Sequence, residues 1–516
     1  MAKILPQFKS SLIEDVKKNI ASNSSNYYAF LSHPIQYSGD TPLETNDDYT
    51  SLFINNWTMI YAKKISNTDI VPVIQNNIWS TDTVYDRYDN TSNSLYVDNK
   101  YYIICEPQTP GGYYHVYKCI DNANNSNSTI DPSSILTPTQ VNSFETDDGY
   151  VWKYITSISD ENYQKFSTTN YSPIYSNSVI ESLAGNNSGV EVVVVSNGGS
   201  YSSYTNGIVQ SVTNSTYIEI QSNNSVSTDG FYNNCGVYIY NSSSSDAQLL
   251  KIESYETGVF GNYIKLLTPA NTSTITPGVT FYDIAPYVSF DTDAEIEPVA
   301  RCVMNVSSNT INYISVLEYG SFVSWANVSI ETSAEGGSGA NVYAIVPPPG
   351  GHGSNVENEL NVQGLAISFT FSNNENSNVG TDILYNKIGV IKDPYSLEAN
   401  NSKGSVYTDI NIDQRLVANV SPSVTFNVGE EITGDTSGAR ATVLFSNSTV
   451  VHLVGDQNFS NNETVSNSTS NSVTTIEISS KADVYYKDLI PLYIQNINNV
   501  NRSANQSEKY KLIIKL

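Results

Sequence analysis

Apolar residues recur at helical spacing only near the start of the chain. Ser11-Leu-Ile-Glu14 has the form of a capping box, with Ser11 as N-cap and Glu14 reaching back. Leu12, Ile13, Val16 and Ile20 follow as one apolar stripe, and Asn23, Ser24 and Ser25 end it. Residues 26–31, "NYYAFL", read as a first strand. A second helical pattern covers 47–64, where Leu52, Phe53, Trp57, Ile60 and Tyr61 fall on one face.

Beyond that point the pattern is that of strands. Residues 101–105, "YYIIC", and 113–120, "YYHVYKCI", flank Gly111-Gly112, and Asp148-Gly149 signals a turn before the alternating run 150–155. Residues 167–178, with Pro173, have the composition of a linker. From 186 to 480 short β-rich runs alternate with Asn, Ser and Gly turns at intervals of roughly ten residues. Examples are 192–195, 217–220, 237–240, 263–267, 311–317 and 328–330. This spacing predicts antiparallel sandwiches or small barrels. Residues 199–204, "GSYSSY", echo 320–325, "GSFVSW", and the Ser-Gly-Ala at 338 echoes the one at 437. Related tandem modules and a biased composition account for these echoes equally well. The chain ends in two further strand candidates, "LIPLYIQNI" (489–497) and "KYKLIIKL" (509–516), joined by a polar connector.

The composition narrows the function classes. The chain has 516 residues, room for roughly three domains of about 150 residues each. It carries 51 acidic and 25 basic residues, a net charge of -26. Such a surface repels phosphate, so broad nucleic-acid binding and anionic membrane surfaces are excluded. The N-terminus lacks an apolar signal core and no stretch is apolar enough to span a bilayer, so a soluble, non-exported protein is expected. Dense Asn-x-Ser/Thr sequons follow from composition and carry no implication of glycosylation. The 38 tyrosines suit half-buried strand faces and interfaces.

Little of the chemistry-bearing inventory forms a motif. Cys105, Cys119, Cys235 and Cys302 include no C-x-x-C pair; they read as buried thiols, or as one bridge between Cys105 and Cys119 across a hairpin. The histidines, His33, His115, His352 and His452, have no metalloprotease spacing. His352 stands in "PPPGGHGSNVENEL" with Glu357 and Glu359, where a Pro/Gly turn is a better account than a metal site. Nucleophile-elbow and Walker sequences are missing. The acidic run 291–297 lacks the register of a Ca²⁺ loop and reads as solvated. In "DGYVWKYI" (148–155) alternation puts Tyr150, Trp152 and Tyr154 on one face. That stripe suits a core or a protein interface better than a sugar platform.

The run 113–122, "YYHVYKCIDN", followed by 145–158, "ETDDGYVWKYITSI", resembles the baseplate wedge subunits encoded by gene eight of T-even-type contractile-tailed phages. That family has an aromatic-x-Tyr-basic-Cys-Leu/Ile-Asp strand and then an Asp-Gly-Tyr-Val-Trp-x-Tyr strand. The opening "NYYAFLSHPIQYSGD" and the ending "LIPLYIQNINNVNRSANQSEKYKLIIKL" are similar to the family as well. At the end Gln506, Ser507 and Glu508 match, whereas Gln495 replaces the usual Glu and Ile497 the usual Arg. The similarity covers about the first 175 residues and the last 30; residues 186–480 have no counterpart in it.

The resemblance implies an α+β, mostly β protein. A wedge core would be built from 1–175 and 481–516, with inserted antiparallel β-modules at 186–300, 301–410 and 411–480. It implies a non-enzymatic virion component of the tail baseplate, made and assembled in the host cytoplasm. Such a subunit is a homodimer within each wedge, partners other wedge proteins and takes part in the rearrangement on contraction. It has no catalytic residue, cofactor or metal. Tyr117, Cys119, Gly149, Tyr150, Trp152, Tyr154, Tyr493, Gln506 and Glu508 are then structural or interface residues. Two-fold dimers are the commonest assemblies, and an acidic surface suits salt-dependent docking to basic partners. Two rival readings are a receptor- or carbohydrate-binding tail protein, resting on the Tyr-rich β-modules, and a polysaccharide-degrading enzyme, which lacks a motif.

Overall fold

The computed structural model describes residues 4–22, 24–33, 42, 44–92, 94–134, 143–185, 189–241, 246–372, 383–422, 424–467, 473–503 and 506–516. The fold is mostly β, with antiparallel sheets and a few short helices. Contacts divide the chain into two compact units, 1–73 with 363–516, and 74–362.

In the first unit the first helix is Pro6–Ala21. Its start is set by Pro6 in the first turn, where the missing N–H costs nothing, and Leu5 occupies the N-cap without a side-chain bond. Ser11 therefore lies inside the helix, and the capping box expected from Ser11 and Glu14 does not form. Asn23 lies outside the described residues. The next helix, Tyr49–Trp57, is capped by Asp48, which accepts from the Ser51 N–H at 2.9 Å. It stops well before residue 64: Thr58 Oγ1 donates back to the Ile54 carbonyl at 2.7 Å, and Ile60 and Tyr61 join the strand Met59–Lys64. Main-chain pairing to the strand Tyr27–Ser32 overrides the helical period there.

One sheet of this unit runs Asn411–Asp413, Met59–Lys64, Tyr27–Ser32, Leu384–Lys392 and Ile490–Asn501. Phe30 faces Gly389 across it. A Cβ at Gly389 would stand 2.5 Å from the Phe30 ring and 2.3 Å from the Tyr493 carbonyl, so only glycine fits. The last strand, Ser507–Lys515, pairs along its length with Gly364–Ser372. Ile490–Asn501 runs further than expected, so the first four residues of the supposed connector, 498–501, are strand.

The same unit holds a closed barrel of Leu416–Ser421, Val450–Gly455, Arg440–Ser446, Glu431–Gly434, Glu463–Asn467 and Val473–Ser480. It falls within the range expected for a small β-module. Alternation turns Leu416, Ala418, Ala441, Val443, Val451 and Leu453 into its interior. Glu463 locks one turn. Its carboxylate accepts from the N–H groups of Ser460 (2.6 Å) and Ser437 (2.9 Å).

In the second unit Tyr102–Cys105, Tyr113–Asn122, Tyr150–Ser159 and Phe144–Glu145 form one antiparallel sheet. A larger sheet follows the order Thr205–Asn214, Tyr217–Ile220, Gly261–Leu266, Gln248–Gly258, Cys235–Tyr240, Phe281–Thr292, Val299–Asn305 and Thr310–Glu318. Pairing of Thr205–Asn214 with Phe281–Thr292 brings the ends of its first part together around Val209, Ile218, Val237, Ile252, Ile264 and Ile284. The boundary of the first unit falls at 73 rather than 175. The strands of 102–159 spend one apolar face on a core that includes Ile345, Val356 and Leu360, which ties them to the end of the second unit. The supposed linker 167–178 contains the short strand Tyr171–Pro173, and Ser172, Pro173 and Ile174 are buried.

Candidate functional site

The run 148–155 begins as a turn. Gly149 has a φ of +81°, a conformation that glycine adopts without strain. Asp148 pins the neighbouring loop by accepting from the N–H groups of Thr129 (2.7 Å) and Ile130 (3.1 Å). The strand that follows closes a core. Trp152 has no solvent exposure, stacks on Tyr150 at 5.2 Å and meets Tyr85 edge-on at 5.9 Å. Tyr117, Cys119, Tyr150, Trp152 and Tyr154 belong to one cluster. All four cysteines are free and buried, so Cys105 and Cys119 form no bridge. The other three candidates lie in the first unit. Tyr493 donates its hydroxyl to Gln495 Oε1 at 2.6 Å. Gln506 Oε1 accepts from the Ser503 N–H at 3.0 Å, and Glu508 pairs with the buried Arg502 at 2.9 Å.

The opposite face of the same two strands carries charge. Lys118, on Tyr113–Asn122, is directly opposite Lys153, on Tyr150–Ser159. Both are buried. Two ammonium groups inside a core demand partners, and each has a separate one. Lys153 pairs with Glu191. Lys118 Nζ donates to Glu359 Oε1 at 2.7 Å and lies 3.3 Å from the centre of the Tyr88 ring. His352 Nδ1 is 2.8 Å from Glu359 Oε1 and 3.1 Å from Lys118 Nζ. With a proton on Nδ1 it donates to the carboxylate; in the other tautomer it accepts from the lysine. Glu359 Oε2 accepts from the Gly353 N–H at 2.6 Å.

The expected Pro/Gly turn is present, and its glycines bury His352. Gly353 has a φ of +85°, and a Cβ there would stand 2.3 Å from Ile180 Cγ2. The chain therefore folds inward at 352. Glu359 sits at the end of the short helix Val356–Glu359, whose N-cap Asn355 accepts from the Asn358 N–H at 2.9 Å.

Burial and charge set the protonation states. Burial pulls the Lys118 ammonium down to about 8, opposed by Glu359. Burial pushes the His352 imidazole down to about 4, and the Lys118 charge adds to it. Glu359 is held at about 2: burial acts to raise it and is outweighed by Lys118 and His352. Glu191 is likewise lowered, because Lys153 outweighs its burial. The arrangement is an ammonium–carboxylate pair bridged by a neutral imidazole.

A lysine tuned to this range is a candidate nucleophile or base where a substrate reaches it. Here Tyr88 covers Nζ, and Lys118, His352 and Glu359 are all buried. The cluster ties the 350–359 segment to the central strands and offers no face to a substrate. Among the described residues no group of three or more His, Cys, Asp and Glu side chains is placed to hold a metal ion. Pattern reading missed Lys118, Lys153, Glu191 and Tyr88. A lysine in the middle of each of two aromatic strands was the available signal, since such a lysine requires a buried counter-charge.

No protein-family model matches the chain, and no curated protein matches it significantly.

Proposed function

We propose that the chain is a structural, non-enzymatic subunit of a contractile-tail baseplate wedge, acting as a homodimer that docks other wedge proteins. The observation that carries this reading is how the resembling segments use their side chains. Tyr117, Tyr150, Trp152 and Tyr154 are spent on packing, and Glu508 on a buried Arg502. The strongly coupled ionisable cluster is sealed under Tyr88. Residues with these duties specify shape, which is what an assembly part contributes. The acidic surface, with a net charge of -26, suits basic partners and docking that weakens with salt.

Sedimentation equilibrium of the full chain at two salt concentrations tests the assembly state. A species of twice 56.6 kDa is expected. A stable trimer would favour an intertwined fibre and overturn the wedge reading. Quantitative mass spectrometry of contractile-tailed particles that encode the chain tests its place. The resemblance implies six wedges around a central hub, so copies in multiples of six are expected, and absence from the particle would exclude a virion role.

A further inference from the structure

A second polar cluster lies on the large sheet of the second unit, and unlike the first it opens to solvent. Strand pairing sets Tyr238 opposite Asp283 and Gly236 opposite Ala285, and on the other edge Tyr287 opposite Arg301. Alternation puts Gly236 and Tyr238 on one face with Asp283, Ala285 and Tyr287. The small residues leave a hollow of about 120 Å³ between the rings of Tyr204, Tyr238 and Tyr287. A Cβ at Gly236 would stand 3.2 Å from the Tyr287 ring, so a larger side chain there would crowd that wall.

Polar valences remain open at its rim. The Arg301 guanidinium lies over the Tyr238 ring at 4.2 Å. It reaches Asp283 Oδ2 only at 3.5 Å, the outer limit of a hydrogen bond. Arg301 Nε is buried without a hydrogen-bond partner. The Asp283 carboxyl is raised by burial, and Arg301 does not cancel this. A charge pair so weakly joined and partly dehydrated is costly unless something completes it. Both side chains remain about one quarter exposed, 27% for Arg301 and 23% for Asp283, so a ligand reaches them. The aromatic surface continues beyond the hollow, with Tyr240 stacked on Tyr238 at 5.3 Å and on Phe281 at 5.7 Å.

We propose that this hollow binds one ring of a neutral saccharide, its C–H face on Tyr204 and adjacent hydroxyls donating to Asp283 and accepting from Arg301. The size fits a single ring, since drug-sized ligands occupy about 300–1,000 Å³. Neutrality follows from the pair itself: a carboxylate ligand meets Asp283, and an ammonium ligand meets Arg301. Adjacent hydroxyls are donor and acceptor at once and satisfy both.

Saturation-transfer NMR on the full chain tests this, with methyl glucoside, galactoside, mannoside and N-acetylglucosaminide as probes and glucuronate and glucosamine as charged comparators. At least one neutral glycoside is expected to receive saturation. Binding should fall about tenfold in Tyr204→Ala, through loss of the ring contact. It should be lost in the isosteric Asp283→Asn, whose amide cannot accept in the same way at both lone-pair sites, and retained in Tyr49→Ala, a control at an exposed ring in the first unit. No transfer from any glycoside would overturn the proposal. So would equal transfer in wild type and both pocket variants, or preference for a charged comparator. Dimer formation and incorporation into particles are independent of these outcomes.

Discussion

Lys118 and Lys153 face each other across two hydrogen-bonded strands, both out of water, and each is neutralised by a different glutamate. Two like charges in register destabilise a sheet unless each is compensated. The compensating groups come from far along the chain: Glu359 is 241 residues from Lys118.

Removing one partner leaves a buried ammonium, so Glu359→Gln should destabilise the protein by about 3–5 kcal/mol. The double variant Lys118→Met/Glu359→Leu should recover much of that loss, because an apolar pair of similar volume avoids desolvation. Urea unfolding of wild type and both variants is the measurement. Equal midpoints for wild type and Glu359→Gln would show that the pair does not hold the second unit together.

His352 is held neutral in the folded protein, at about 4 against an ordinary 6.5. As pH falls from about 6.5 to about 4 the unfolded chain takes up a proton that the native state does not, so stability declines through that window. Glu359, at about 2 against an ordinary 4.5, extends the loss. Its contribution is full above about 4.5 and disappears as pH falls towards 2. In a series of melting curves, His352→Gln should flatten the upper part of this decline relative to wild type. Parallel curves would remove His352 as a cause.

Trp152→Ala should cost about 3–5 kcal/mol, since the ring is enclosed and its neighbours Tyr85 and Tyr150 cannot fill the space. An unchanged thermal transition would place the ring outside the packed core.

The last two strands each close a different sheet of the first unit. Deleting 489–516 removes Ile490–Asn501 and Ser507–Lys515, which cover Leu384–Lys392 and Gly364–Ser372. Loss of dispersed amide signals in the first unit is expected; a soluble, well-dispersed truncated protein would contradict it. Gly364→Ala is a milder probe. The added Cβ would stand 2.1 Å from the Ile514 carbonyl and should cost about 1–3 kcal/mol.

Strand patterns were legible because alternation of period two is written locally, as in 150–155, 237–240 and 311–317. The buried aromatic face of 148–155 was legible for the same reason. Two helix limits were not. Pro6 took the first turn ahead of the Ser11 signal, and strand pairing claimed Ile60 and Tyr61 although their spacing suited a helix. The charge cluster was legible only in its two lysines, which demand buried counter-charges; the identity of their partners was not, because 88, 118, 352 and 359 meet only on folding. The family resemblance put the first boundary near 175, whereas the core shared by Tyr101, Ile345 and Leu360 places it at 73.

The first unit is made of two stretches, 1–73 and 363–516, with the second unit lying between them in the chain. During translation the N-terminal stretch emerges first and has no strands to pair with across Tyr27–Ser32 on its Leu384 side. The second unit is continuous and leaves the ribosome whole, free to fold while synthesis proceeds. The first unit then waits for the last strands to appear. Its unpaired edge is exposed throughout that interval, when an open strand edge is a template for pairing with another chain.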